Sequence, residues 1–222
     1  MGDMIRLTGE DGVSIGAYVA KPVGAARGGI VVLQEIFGVN HHIRAVADRF
    51  AAEGYLAVAP ALYDRVEPNY ESGYEQPDMQ AGVAIRSKTD PAKVMLDVKA
   101  AVAEASKGGK VGVVGYCWGG TLAFAAAAKI PGVAAAVGYY GAGIAAMADQ
   151  KPLAPTILHF GEKDHSISAA DVEKIKAVRP DVPVYVYAAG HGFNCDERGA
   201  YDAPAADAAR ERTYAHFKQF VG

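Results

Sequence analysis

The stretch Val111-Gly112-Val113-Val114-Gly115-Tyr116-Cys117-Trp118-Gly119-Gly120-Thr121-Leu122 decides how the rest of the chain reads. A continuous apolar run, as in a strand covered on both faces, leads straight into an alanine-rich helical segment, Trp118 to Lys129. The turn between them, Gly115-Tyr116-Cys117-Trp118-Gly119, has the form of a G-x-nucleophile-x-G elbow with cysteine in the nucleophile position. Such a turn is sharp, and the glycines at its ends let neighbouring backbone approach closely. It lifts the Cys117 sulfur above the carboxyl ends of the strands, where open α/β sheets bind ligands. It also sets that sulfur at a helix N-terminus, whose partial positive charge favours a thiolate, while the Trp118 backbone N–H can donate to a developing oxyanion. By its letters alone, G-x-C-x-G fits a small buried cysteine in a glycine-rich turn equally well. The flanking strand and helix favour the catalytic reading.

Outward from the elbow, short apolar runs alternate with helical patterns. Ile5 to Leu7 and Val13 to Val19 read as a hairpin turning at Glu10-Asp11-Gly12, and Gly29 to Leu33 as a buried strand. Asn40 can cap a helix striped by Ile43, Val46, Ala47, Phe50 and Ala51, and Tyr55 to Pro60 begins the next strand. Asp64 to Lys88 breaks into proline, glycine and acidic residues and is expected to be an irregular lid or cap segment. Asp90 and Pro91 start a further helix, Val133 to Tyr139 and Thr156 to Phe160 are strands, and Ser168 caps a helix running to Arg179. Val184 to Ala188 is the last strand, followed by a terminal helix striped by Ala206, Ala209, Thr213, Phe217 and Phe220. Alternation of this kind predicts an α/β class: a mainly parallel sheet with helices on both faces, one α/β-hydrolase domain over residues 1–222.

In that fold the order along the chain is nucleophile, acid, histidine. Of the six histidines, His191 alone lies on the loop directly after the last strand, in Ala189-Gly190-His191-Gly192-Phe193, at the same edge as the elbow, while His216 is on the terminal helix. Asp164 follows the Thr156 to Phe160 strand at that edge, whereas Asp149 precedes it at the wrong one; spacing leaves Glu162 open beside Asp164. An isolated loop aspartate is usually a turn former, and only the position after this strand raises Asp164 above that reading. The roles then follow triad logic: His191 takes the Cys117 proton and returns one to the leaving oxygen, while Asp164 holds the imidazole tautomer.

Bulk properties exclude other classes. The 222 residues are 51% hydrophobic and 21% charged, in the ordinary globular range, and the formal charge is −3 with no run of Lys or Arg to track phosphates, so no nucleic acid partner is expected. No stretch reaches the ~18 apolar residues of a membrane helix, and Met1 to Glu10 lack the apolar core of a signal peptide. The expectation is a cytoplasmic protein without membrane contact, a monomer or small homo-oligomer. Two cysteines, Cys117 and Cys195, are too few for a disulfide framework or a zinc site, and no phosphate-cradling loop is visible. Neither cofactor nor metal is expected.

The chain also resembles the dienelactone hydrolase family, the carboxymethylenebutenolidases of bacterial aromatic degradation, nearly end to end. The resemblance rests on Gln34-Glu35-Ile36-Phe37-Gly38, Ile43-Arg44, Gly54-Tyr55, Ala59-Pro60 with Leu62-Tyr63, Gly112 to Gly120, Gly138-Tyr139-Tyr140-Gly141 and Gly190-His191-Gly192-Phe193, in that order. It implies Cys117, Asp164 and His191 as the triad, and a glutamate, Glu35, that approaches the thiol and helps activate it when substrate arrives. It implies the Ile36 N–H as the second oxyanion donor beside Trp118, Tyr140 and Phe193 on the substrate side, and opening of an enol-lactone as the reaction. Read without the family, Glu35 is an ordinary charge at a strand's end. One departure stands out: family members acting on the anionic lactone have an arginine four residues after the triad histidine, where this chain has Cys195. Arg198 lies three positions further on, and Arg86 is the nearest candidate for a second carboxylate-binding arginine. Cysteine cannot make the bidentate contact of arginine, so the departure predicts a neutral lactone or small ester as substrate. A broad carboxylesterase and a non-catalytic redox-sensing protein, in which Cys117 only binds or reports, are the alternatives; separately, oxidants are expected to inactivate the protein through a disulfide between Cys117 and Cys195.

Overall fold

Ile30 and Val32 join one hydrophobic cluster while Val31 and Leu33 join another, and all four are fully buried. They belong to β3 (Gly29–Leu33), and the alternation places a separate core on each face of the sheet. Burying each of these side chains is worth about 1.5–3 kcal/mol. In the computed structural model, which describes residues 2–222, eight strands form one sheet around this one. They are β1 (Asp3–Thr8), β2 (Ser14–Ala20), β3, β4 (Leu56–Pro60), β5 (Val111–Tyr116), β6 (Val133–Tyr139), β7 (Thr156–Gly161) and β8 (Val184–Tyr187), ordered β1-β2-β4-β3-β5-β6-β7-β8. The β1–β2 and β2–β4 pairings are antiparallel and the remainder parallel.

Helices cover both faces. α1 (His41–Ala52) contributes Ile43, Val46 and Phe50 to one core, joined there by Ala205, Ala209 and Phe217 of the C-terminal α6 (Ala203–Phe220). On the other face lie Val94, Val98 and Ala101 of α3 (Pro91–Ala105) and Leu122, Ala123 and Ala126 of α4 (Trp118–Lys129). α5 (Ala169–Val178) is closed at its start by the reciprocal Ser168–Asp171 capping box. Asn40 and Asp90 cap α1 and α3 through their side chains.

One segment departs from expectation. The stretch from 64 to 88, expected to be irregular, contains an eleven-residue helix, α2 (Gln76–Arg86). Its start carries a capping box made by Glu75 and Asp78, with Pro77 in the first turn. The pattern is hard to see because glutamate stands where serine or threonine is usual. Only Gly82 and Ile85 of α2 are buried, so no apolar stripe announces it. Among the described residues no helix is long and apolar enough to cross a membrane.

Neighbouring strands are added on opposite sides of β3: β4 on one, β5 on the other. The carboxyl ends of β3 and β5 therefore flank a reversal in strand order, where the two departing chains leave a crevice. Glu35 and Cys117 sit at that crevice.

Candidate active site

Cys117 is the N-cap of α4, with φ 54° and ψ −115°, a left-handed conformation that a side chain other than glycine rarely adopts. The surrounding packing enforces it. A Cβ on Gly119 would fall 2.3 Å from the Leu33 carbonyl oxygen, and one on Gly115 would fall 1.9 Å from that of Gly119. The Cys117 amide donates to the Tyr139 carbonyl at 3.0 Å, fastening the elbow to the end of β6. Trp118 occupies the first position of α4, where an amide has no partner within the helix. Its ring stacks on Tyr63 at 5.2 Å, fixing the first turn.

His191 lies beyond β8 and Asp164 beyond β7. Their side chains meet at 2.7 Å, His191 Nδ1 to Asp164 Oδ2, and the other oxygen of Asp164 accepts from the Ser166 amide at 2.7 Å. Asp164 is thus fully engaged and buried. Burial works against a charge on His191, but its hydrogen bonds to Asp164 and to Cys117 outweigh that, and its pKa is pushed up to about 10. The imidazole is therefore held by a carboxylate while lining the same cleft as the elbow cysteine. Glu162, open on spacing, is exposed and its amide is bound to Tyr187 in the β8 register.

Glu35, 1% exposed, leaves β3 beside the elbow. Gln34 sets its place: the Gln34 amide oxygen accepts from the Leu62 N–H at 3.1 Å and its nitrogen donates to the Glu35 carbonyl at 3.3 Å. Glu35 Oε1 accepts from Arg198 at 3.0 Å, and Oε2 has no partner. The Arg198 guanidinium also lies over the rings of Phe37 and Tyr74, at 5.5 and 5.7 Å. Gln34 as a clamp on Glu35 is missed by sequence reasoning, since its partner Leu62 belongs to a distant segment.

A cleft of about 570 Å³ opens over the elbow. Cys117, His191 and Ile36 line it together with Met79, Val83 and Arg86 of α2. Lys163 and Arg198 line it from the other side. The helix is held hard against the oxyanion side: a Cβ at Gly82 would stand 2.3 Å from the Ile36 carbonyl oxygen.

Two expectations need correcting. Tyr140 and Phe193 do not line this cleft; both are fully buried behind it, Tyr140 with its ring 5.1 Å from that of His191. Tyr140 has φ 37° and Gly192 φ 79°, and these turns carry the two aromatic rings inward. The premise drawn from Cys195 also differs from the structure, since residue 195 does not line the cleft and Arg198 does. Successive turns, Cys195 N–H to the Gly192 carbonyl and Arg198 N–H to the Cys195 carbonyl, fold residues 192–198 back on themselves. Arg198 rather than residue 195 then faces the cleft, and Cys195 is buried, its thiol pushed up to about 12 by that burial and by Glu35. Both cysteines are free thiols.

Comparison with known proteins points to one family. The family described as "Dienelactone hydrolase family" matches residues 15–221. The carboxymethylenebutenolidase of Pseudomonas putida is 37% identical, the match covering 94% of this chain and 92% of that protein. A Synechocystis protein provisionally named a carboxymethylenebutenolidase is 38% identical over 87% of each chain. A Klebsiella pneumoniae crystal structure, provisionally named a dienelactone hydrolase, superposes with a TM-score of 0.88 at 32% identity, covering 99% of both chains.

Proposed function

The chain belongs to the dienelactone hydrolase family of α/β hydrolases, and on that premise we propose that it cleaves a lactone or small carboxylic ester through a thioester formed on Cys117. The observation that carries the proposal is the position of His191, bonded to Asp164 at 2.7 Å and lining the same cleft as the elbow cysteine, Cys117.

Each residue then has a step. The Cys117 sulfur, its proton held by His191, attacks the substrate carbonyl carbon. Charge growing on the carbonyl oxygen is met by the backbone N–H groups of Trp118 and Ile36. Collapse of the tetrahedral intermediate expels the alcohol or enol oxygen, which takes the proton from the imidazolium. Water, deprotonated by the same imidazole, opens the thioester and restores the thiol. Asp164 keeps the ring in the tautomer that both halves need. Glu35 assists the first proton transfer once Arg198 is drawn away from it, which a substrate carboxylate can do by competing for the guanidinium.

That last point bears on substrate class. Arg86, Lys163 and Arg198 give the cleft cationic groups, and Met79 and Val83 give it apolar ones. A small lactone or ester bearing a carboxylate suits both, and a neutral ester is the poorer match. Denaturing mass spectrometry after mixing with a slowly hydrolysed ester tests the mechanism. The expected result is one acyl group on the peptide containing Cys117, and Cys117→Ala, folded by circular dichroism, without turnover. Full turnover by Cys117→Ala overturns it. For substrate class, kcat/KM is expected to be higher for a lactone bearing a carboxylate than for its methyl ester, and Arg198→Gln is expected to narrow the gap.

A further inference from the structure

Beside the active cleft, three donors of different chemistry converge from segments more than 150 residues apart. His42 lies in the first turn of α1, and Cys195 and Asp196 lie in the turn after His191. One ligand atom from each falls within 4.8 Å of the other two. His42 Nδ1 stands 3.2 Å from Asp196 Oδ1. Two ligands on a tetrahedral zinc, with bonds of about 2.0–2.3 Å, are separated by about 3.3–3.8 Å, so small side-chain shifts bring all three donors to bonding distance.

The proposed catalytic chemistry uses none of these groups. The His42 ring is fully buried, and Nε2 has no hydrogen-bond partner. Cys195 is likewise buried, with no role in lining the cleft. Asp196, by contrast, has a half-exposed side chain and offers a path in from solvent.

We propose that His42, Cys195 and Asp196 form a binding site for a zinc-class divalent cation, three-coordinate from the protein with a fourth position open to water. Sulfur, imidazole and a single carboxylate are the donor set that such borderline-soft ions prefer over magnesium or calcium, which require oxygen. On binding, Cys195 releases its thiol proton to solvent as the metal–sulfur bond forms, and no electron transfer is involved. The nearby Arg49 and Arg198 oppose a cation, and the thiolate and Asp196 carboxylate offset their charge. Occupancy ties the segment between His191 and Arg198 to α1, and so links metal binding to the loop that carries both. The spacing hides the site in the sequence, where the two cysteines give no zinc pattern.

Cobalt is the probe, because thiolate ligation of Co2+ gives a near-ultraviolet charge-transfer band. Full-length protein stripped with chelator and titrated with Co2+ is expected to show the band at one ion per chain, displaced by Zn2+. Cys195→Ser is expected to abolish it, Cys117→Ala to retain it, and Asp196→Asn to weaken Co2+ binding at least about tenfold. No band in the wild-type chain, a band surviving Cys195→Ser, or a band lost in Cys117→Ala, which would put the ion on the elbow sulfur, each overturns the proposal. Should Cys195→Ser fail to fold, Asp196→Asn decides alone: unchanged Co2+ affinity overturns the site.

Discussion

Gly82→Ala separates two opposing effects at one position. In the interior of an exposed helix, replacing glycine by alanine stabilises by about 0.8–1 kcal/mol, because alanine loses less backbone entropy. At Gly82 the new Cβ would lie 2.3 Å from the Ile36 carbonyl oxygen and 3.2 Å from the Ile36 Cβ, whereas ordinary contact begins near 3.4 Å. Either α2 or the Ile36 peptide must move by about 1 Å. Ile36 follows Glu35 and supplies a proposed oxyanion donor, and a misplacement of about 1 Å in a catalytic group costs on the order of 10²-fold in rate. The expected result is a fall in kcat/KM of that order on a short p-nitrophenyl ester. The change in melting temperature is expected to be small or negative, since strain offsets the gain in propensity. Ala81→Gly, on the exposed side of the same helix, serves as control: it loses propensity without the clash and is expected to keep its rate. A Gly82→Ala protein with raised Tm and unchanged kcat/KM would refute the close-contact argument and with it the assignment of α2 as a wall of the site.

Other perturbations follow from the same geometry. Arg198→Gln strands Glu35, 1% exposed, without its cation; stability measured in urea is expected to fall by on the order of 3 kcal/mol, and Glu35→Gln added to it to recover most of the loss. The folded pKa of His191, about 10, lies above its unfolded value of 6.5, so its contribution to stability is complete below about pH 6.5 and is lost as pH rises toward 10. Urea midpoints are expected to decline across that window, and Asp164→Asn to flatten the decline; an unchanged slope in that variant refutes the assignment. His159 behaves oppositely: burial holds it near 3, so its contribution is present above pH 6.5 and is lost on acidification toward 3. His159→Gln is expected to reduce acid sensitivity in the same assay.

Much of the α/β-hydrolase architecture was legible because local rules wrote it. Trp118–Lys129 and Val133–Tyr139 occupy the expected residues, and Asn40, Asp90 and Ser168 cap the helices that their chemistry announces. α2 was not legible, since it rests on a glutamate cap and on the Gly82 contact with Ile36 rather than on an apolar stripe. The same division runs through the candidate site. Cys117, Asp164 and His191 could be picked out because each follows a strand at one edge of a parallel sheet, and strand ends are a local feature. Tyr140 and Phe193 carry no mark of whether they face cleft or core; single backbone turns at Tyr140 and Gly192 decide it.

By itself the sequence determined the order of the strands and of the helices other than α2, the elbow, and candidates that follow strand ends, because hydrophobic period, capping and turn chemistry act over a few neighbours. Only the tertiary structure decided that Arg198 meets Glu35, that α2 closes over Ile36, and that His42 meets Cys195 and Asp196. Those contacts join residues 46 to 163 positions apart, and the side chain that reaches them is chosen by how loops fold back between strands, a balance that no local pattern encodes.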